Sequence, residues 1–223
     1  MTKSVALGID IGGTNTVYGF VGKDGHVHHH KEIPTHGSNP VLDLVGRIEN
    51  RVQSYLRDNT AIVLSGIGIG APNGNHYTGC IQDPPNLSWG NVDIVSLFKE
   101  RFDCDVILTN DANAAALGEK HYGAAKEMDD FIVITLGTGL GSGIFSGGRL
   151  LYGHDGFAGE MGHMPIESEG RDCNCGNRGC LESYASARGI RKTVKELLNE
   201  TPEDEFLQTI DRERVDGTVI DDA

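Results

Sequence analysis

Twice along this chain a strand pattern runs into a glycine-rich turn and out into another strand. Ser4 to Ile11 alternates and then turns apolar before Gly12-Gly13, and Thr16 to Val21 resumes the strand. Phe131 to Leu136 runs into the turn Gly137 to Gly143, and a strand follows at Gly143 to Phe145. In both places the glycines join strand to strand, so neither turn fits the GxGxxG loop that opens a helix, and the first lacks the lysine of GxxxxGK[ST]. One unit occurring twice predicts two related α/β halves.

The segments between fill in those halves. His26 to Ile33 reads as a third strand, and histidines 26, 28, 29 and 30 read there as a solvated face in preference to a metal tract. From Val41 to Leu56, Leu44, Ile48, Val52 and Tyr55 recur at helical spacing. Ala61 to Ala71 reads as a buried strand ending at the turn Pro72-Asn73-Gly74, Val92 to Arg101 as a short helix, and Asp105 to Thr109 as a strand. Asp111 is placed to cap a helix over Ala112 to Tyr122. Ala185 to Leu198 is the last clear helix, with Ile190, Val194 and Leu197 on one face. The first set of strands and helices closes near Thr109, which predicts domains over 1–109 and 110–223.

Composition narrows the function. The 38% apolar content supports a core, and no run approaches the roughly 18 apolar residues of a membrane span. The 19 basic against 32 acidic residues argue against a broad contact with nucleic acid. More than half of the excess lies from Asn199 to Ala223, where nine acidic residues face only Arg212 and Arg214; that tail reads as helical and solvated. No signal peptide is read at the start, which makes a cytoplasmic protein the expectation. Five cysteines suit a disulfide framework poorly. Cys80 and Cys104 read as buried thiols, whereas Cys173, Cys175 and Cys180 crowd together.

Four constellations carry chemistry. Asp10, Gly12, Gly13, Thr14 and Asn15 offer backbone N–H groups and side-chain donors to an anion, with an acidic residue that can hold Mg²⁺ through water; a plain tight hairpin explains the glycines as well. Gly137, Thr138 and Gly139 repeat the arrangement, which suggests phosphates gripped from two sides. Asn110-Asp111 lies at a strand end and helix start, where Asp111 reads as a cap, a general base, or both. Lastly, His163 with Cys173, Cys175 and Cys180 forms a closed tetrahedral zinc set, with no position left for a catalytic water; such a zinc is structural and steadies a loop carrying Glu160 and Glu182.

The strings Asp-Ile-Gly-Gly-Thr at 10–14, Asn-Asp-Ala-Asn-Ala-Ala-Ala-Leu-Gly-Glu at 110–119, Gly-Thr-Gly-Leu-Gly-Ser-Gly at 137–143, and Glu-x-Gly-His followed by Cys-x-Cys-Gly-x-x-Gly-Cys-x-Glu resemble the ROK family of repressors and sugar kinases, closest to its bacterial ATP-dependent glucokinases. The resemblance implies the actin-like, ribonuclease H-like fold, two α/β domains with a sugar cleft between them. It implies transfer of the ATP γ-phosphate to the glucose 6-hydroxyl, with Asp111 as base and Mg²⁺ on the phosphates. Asn86, Asn110, Glu160, His163 and Glu182 then contact the sugar, and the two glycine loops hold phosphate. Fructose and N-acetylhexosamines remain alternative substrates, and a non-catalytic sugar-binding fragment or regulator is an alternative of another class. The family's regulators carry an N-terminal helix-turn-helix, for which a first strand beginning by Ser4 leaves no room. Family chains continue further and are expected to form homodimers, so the second domain reads as truncated.

Overall fold

In the computed structural model, which describes residues 2–85, 87–201 and 203–210, each glycine turn joins two strands. The first five-stranded sheet has the order β3-β2-β1-β4-β7, from β1 (Lys3–Ile11), β2 (Asn15–Gly22), β3 (Val27–Pro34), β4 (Ile62–Gly70) and β7 (Asp105–Thr109). β1 and β2 pair antiparallel from Val5↔Gly22 to Ile11↔Thr16, whereas β4 and β7 run parallel to β1. A short two-stranded sheet, β5 (Cys80–Ile81) and β6 (Val92–Asp93), lies in the connection between β4 and β7.

Alternation along β1 puts Val5, Leu7, Ile9 and Ile11 on one face, all buried. They meet Leu44, Val45, Ile48 and Val52 of α1 (Val41–Asp58) and Ile94 and Phe98 of α2 (Ile94–Lys99) in one core. Burying a side chain of this size contributes about 1.5–3 kcal/mol, so this face supplies most of the drive to fold the sheet. Tyr55 of α1 is partly buried against this core, its ring stacked on Phe20 at 4.7 Å and on His29 at 3.9 Å. His29 is thereby turned inward, with φ at 51°, and departs from the solvated face expected of the histidine strand.

β4 is less buried than its apolar sequence suggested. Val63 is half exposed, and so is Ile107 of β7, because α1 and α2 cover only the opposite face.

β8 (Phe131–Leu136), β9 (Leu140–Ser146) and β10 (Arg149–Leu150) form a three-stranded sheet in the order β10-β9-β8. It repeats the strand, glycine turn, strand pattern of β1 and β2. The chain divides into two compact units, Met1–Phe131 with Gly143–Ala158, and Ile132–Ser142 with Gly159–Ala223. Unlike a cut at Thr109, this division keeps α3 (Asp111–His121) with the first unit, where it packs on β4 and β10. In the second unit the helix expected over Ala185 to Leu198 is α5 (Ala187–Glu200), two residues further along, and the short helix α4 (Glu182–Ala185) precedes it. The break falls at Ser186, whose hydroxyl accepts from the Gly189 amide as an N-cap. Of the expected apolar face, Ile190 and Leu197 are exposed, and Leu198 is the buried large side chain. The acidic tail from Asp211 onward lies outside the described residues.

Candidate functional site

In the first unit, strand register builds the site. Asp10 of β1 pairs with Gly70 of β4, and Gly70 pairs with Thr109 of β7, so three carboxyl-terminal strand ends lie level. Ligands of open α/β sheets bind beyond such ends. Asn110 and Asp111 follow Thr109 directly. Gly70 is the low point of this row: a Cβ there would lie 3.3 Å from Ala114 Cβ, 3.7 Å from Asp111 Cα and 3.8 Å from Asp10 Oδ1. The missing side chain lets the two acidic residues approach. Asp10 keeps contact with solvent, yet the protein packed around it and, second, the negative charge of Asp111 raise its carboxyl above the usual carboxylate range.

The helix cap is Asn110, one residue earlier than the sequence suggested. Its Oδ1 accepts from the amides of Ala112 at 2.8 Å and Asn113 at 3.4 Å. Asp111 becomes the first helical residue, exposed, with Oδ1 accepting from the Ala112 amide at 2.8 Å. Capping therefore occupies the Asn110 oxygen and leaves its amide NH₂ to donate elsewhere.

The loop Gly12 to Asn15 is a tight hairpin turn. The Gly12 amide donates to the Asn15 carbonyl at 2.9 Å, and a Cβ on Gly12 would sit 2.8 Å from that same oxygen. Thr35 braces the turn. Its hydroxyl donates to the Gly12 carbonyl at 2.7 Å, its amide donates to the Thr14 carbonyl at 2.8 Å, and it pairs with the Thr16 hydroxyl at 2.8 Å. The Asn15 amide is engaged by Glu32. Asp10, Gly12, Gly13, Thr14 and Asn15 are thus on one strand end and its turn.

In the second unit, the 3₁₀ turn Met161–His163, the cysteine loop and α4 converge. One imidazole nitrogen of His163 and the sulfurs of Cys173, Cys175 and Cys180 all lie within 4.8 Å of one another. Cys173 Sγ is 3.6 Å from His163 Nδ1, and Cys175 Sγ is 3.7 Å from Cys180 Sγ. Tetrahedral zinc with Zn–S of about 2.3 Å sets its ligand sulfurs about 3.8 Å apart, so the donor set fits that ion in both chemistry and spacing. Gly176 and Gly179, with φ at 89° and 70°, turn the cysteine loop, and a Cβ on Gly179 would collide with the Glu167 carbonyl.

Glu182 connects this cluster to the second glycine turn. Its Oε1 lies 3.8 Å from His163 Nδ1 and accepts from the Cys173 thiol at 3.1 Å; burial, reinforced by this hydrogen bond and opposed by the Cys175 amide, pushes that thiol up to about 12. Glu182 Oε2 accepts from the Leu140 amide at 3.4 Å, and a Cβ on Gly139 would come within 2.9 Å of it. The Ala187 amide donates to the Gly137 carbonyl at 3.0 Å. Gly137, Thr138 and Gly139 are therefore pinned to α4 and to the start of α5, the helices that follow the cysteines. Glu160 Oε2 lies 4.0 Å from His163 Nε2, so the two imidazole nitrogens face different groups. Asn86 lies outside the described residues. Sequence reading did not single out Thr35, Gly70 or Asn75 as parts of a site; only their places beside turns pointed to them.

Comparison with known proteins gives this constellation a lineage. The profile described as "ROK family" matches residues 6–217. The chain belongs to the ROK family. It has the actin-like, ribonuclease H-like fold of ROK sugar kinases. A glucokinase of Thermotoga maritima is 38% identical over 198 residues, covering 88% of this chain and 62% of the relative. A ROK glucokinase from Streptomyces griseus, solved in complex with glucose and AMPPNP, matches with 34% identity and a TM-score of 0.72, covering 89% of this chain and 62% of that one. A xylose repressor of Caldicellulosiruptor bescii is 41% identical over 143 residues, or 64% of this chain and 36% of the relative. The chain thus spans about 62% of the length of the glucokinases it matches.

Proposed function

We propose that this ROK protein is an ATP-dependent hexokinase-type phosphotransferase that acts on the 6-hydroxyl of glucose. The observation that carries the reading is the placement of Asp111, exposed at the first turn of α3, with Asn110 as the helix cap and Asp10 as a second carboxylate beside it at a level row of strand ends. Similarity to the Streptomyces griseus glucokinase, which holds glucose and an ATP analogue, supports the same substrates here.

In this reading Asp111 takes the proton of the sugar 6-hydroxyl as that oxygen attacks the γ-phosphorus, and the bond to the β-phosphate oxygen breaks to release ADP. Asn110, Asn86, Glu160, His163 and Glu182 hold the sugar hydroxyls, carboxylates accepting and amides donating. Backbone amides of Gly12 to Asn15 and of Gly137 to Gly139 receive phosphate oxygens. Asp10 would hold Mg²⁺ through water, and the ion would neutralise charge on the transferring group. His163, Cys173, Cys175 and Cys180 would hold a structural zinc that orders the segment carrying Glu182.

The test is coupled ADP release over a hexose panel, with wild type beside Asp111→Ala. Glucose is expected to be the preferred hexose, and the variant to lose about 10²–10⁴-fold in turnover. Undiminished turnover in Asp111→Ala removes the base, and stronger turnover of N-acetylmannosamine or fructose reassigns the substrate. The xylose repressor similarity favours a second reading, a sugar-binding regulator; hexose-dependent thermal stabilisation without any ADP release selects it.

A further inference from the structure

Asn75 follows the turn Pro72-Asn73-Gly74; it is 3% exposed, and both polar atoms of its side chain are hydrogen-bonded. Its Oδ1 accepts from the amides of Tyr77 at 3.0 Å and Thr78 at 3.3 Å, which folds the 74–79 loop on itself. Its Nδ2 instead leaves the loop and donates to the Asp155 carbonyl at 2.7 Å. Two further contacts run the same way. The Tyr77 hydroxyl donates to the Gly153 carbonyl at 3.0 Å, and the His76 ring lies flat on Tyr152, centroids 4.2 Å apart and planes within 9°. His76 is itself held, Nδ1 donating to the Leu108 carbonyl at 3.2 Å. On the far side, Gly156 has φ at 87°, and a Cβ there would lie 2.8 Å from both the Asn75 carboxamide oxygen and its nitrogen.

Both partners matter by position. The 74–79 loop is fixed to the strand ends: the Ala71 amide donates to the Thr109 carbonyl at 3.1 Å, and a Cβ on Gly74 would lie 2.5 Å from that oxygen, next to Asn110 and Asp111 in the chain. Segment 151–158 leaves β10 and runs directly into Gly159 and Glu160.

Resting on the hexose-kinase reading above, we infer that Asn75 is a positioning residue for sugar: it clamps segment 151–158 to the strand ends that carry Asp111 and so fixes the chain leading into Glu160. Tyr77 is its auxiliary. Neither residue touches the reacting atoms in this account.

Asn75→Asp isolates the clamp, because a carboxylate still accepts from Tyr77 and Thr78 but cannot donate to the Asp155 carbonyl. Glucose Kd by calorimetry is expected to rise about tenfold for Asn75→Asp and less for Tyr77→Phe, the value of a buried hydrogen bond lost. Zinc content and the Kd for the ATP analogue AMPPNP stay at wild-type values, which separates positioning from general unfolding. Wild-type glucose affinity in a folded Asn75→Asp overturns the inference, as does an equal loss of AMPPNP affinity. Should Asn75→Asp not fold, Tyr77→Phe decides alone, since Tyr77 is largely exposed and an unchanged glucose Kd there is also fatal. Failure of wild type to bind any hexose would instead sink the functional reading.

Discussion

Asp10 and Gly70 show how much one residue position can decide. Because Asp10 carries a carboxyl raised by the surrounding protein and by Asp111, the folded state takes up protons there more readily than the unfolded chain. Stability from this group is therefore highest where both states are protonated, and it falls as pH rises through the unfolded and then the folded value. Asp10→Asn is expected to raise the melting temperature at pH 7, with the gain vanishing below about pH 4, the ordinary carboxylate range. The same change is expected to lower phosphoryl transfer by at least about 10²-fold through loss of the Mg²⁺-facing charge. A variant with unchanged or reduced melting temperature at pH 7 contradicts the first expectation. Asp10 was legible in sequence because it is an acidic residue at the end of an apolar strand, just ahead of a paired-glycine turn. Gly70 was not, because its role is the absence of a side chain between neighbours that only strand register brings level.

At the scale of elements, strands were read well from alternation in β1 and from short apolar runs bounded by turns in β7 and β8, and less well where one face lacks a cover. β4 looked buried throughout, but Val63 is half exposed, since periodicity records which residues are apolar and not what packs on them. The start of α5 was expected two residues early, at Ala185, because only the bond from the Gly189 amide to the Ser186 side chain marks where the helix begins. The cysteine cluster was legible because its spacing alone restricts the geometry, and His163 joins it through a 3₁₀ turn. Metal analysis is expected to find near one zinc per chain, and Cys180→Ser to lose it together with glucose-dependent thermal stabilisation, because Glu182 lies two residues on and contacts Cys173. Full retention of that stabilisation by a zinc-free protein contradicts the coupling.

Over the whole molecule, each unit leaves apolar surface open. Val63 and Ile107 are about half exposed in the first, and Ile132, Ile134 and Leu136 share one face of β8 in the second, at 50%, 50% and 60% exposure. A net charge of -13 opposes contact between copies until salt screens it. Light scattering is expected to show the apparent mass rising as salt approaches about 0.5 M, and Ile134→Lys to suppress the rise. A mass independent of salt contradicts this. The internal repeat was legible because both glycine turns keep their sequence signature, whereas the division into units was not, because α3 packs backward onto β4.

The proposed transfer of the ATP γ-phosphate to one hydroxyl of a hexose is tested most directly with γ-labelled ATP and Mg²⁺. With glucose, label is predicted on the 6-oxygen; with 6-deoxyglucose, no labelled sugar forms. Label appearing only as inorganic phosphate, or on 6-deoxyglucose, would contradict the account.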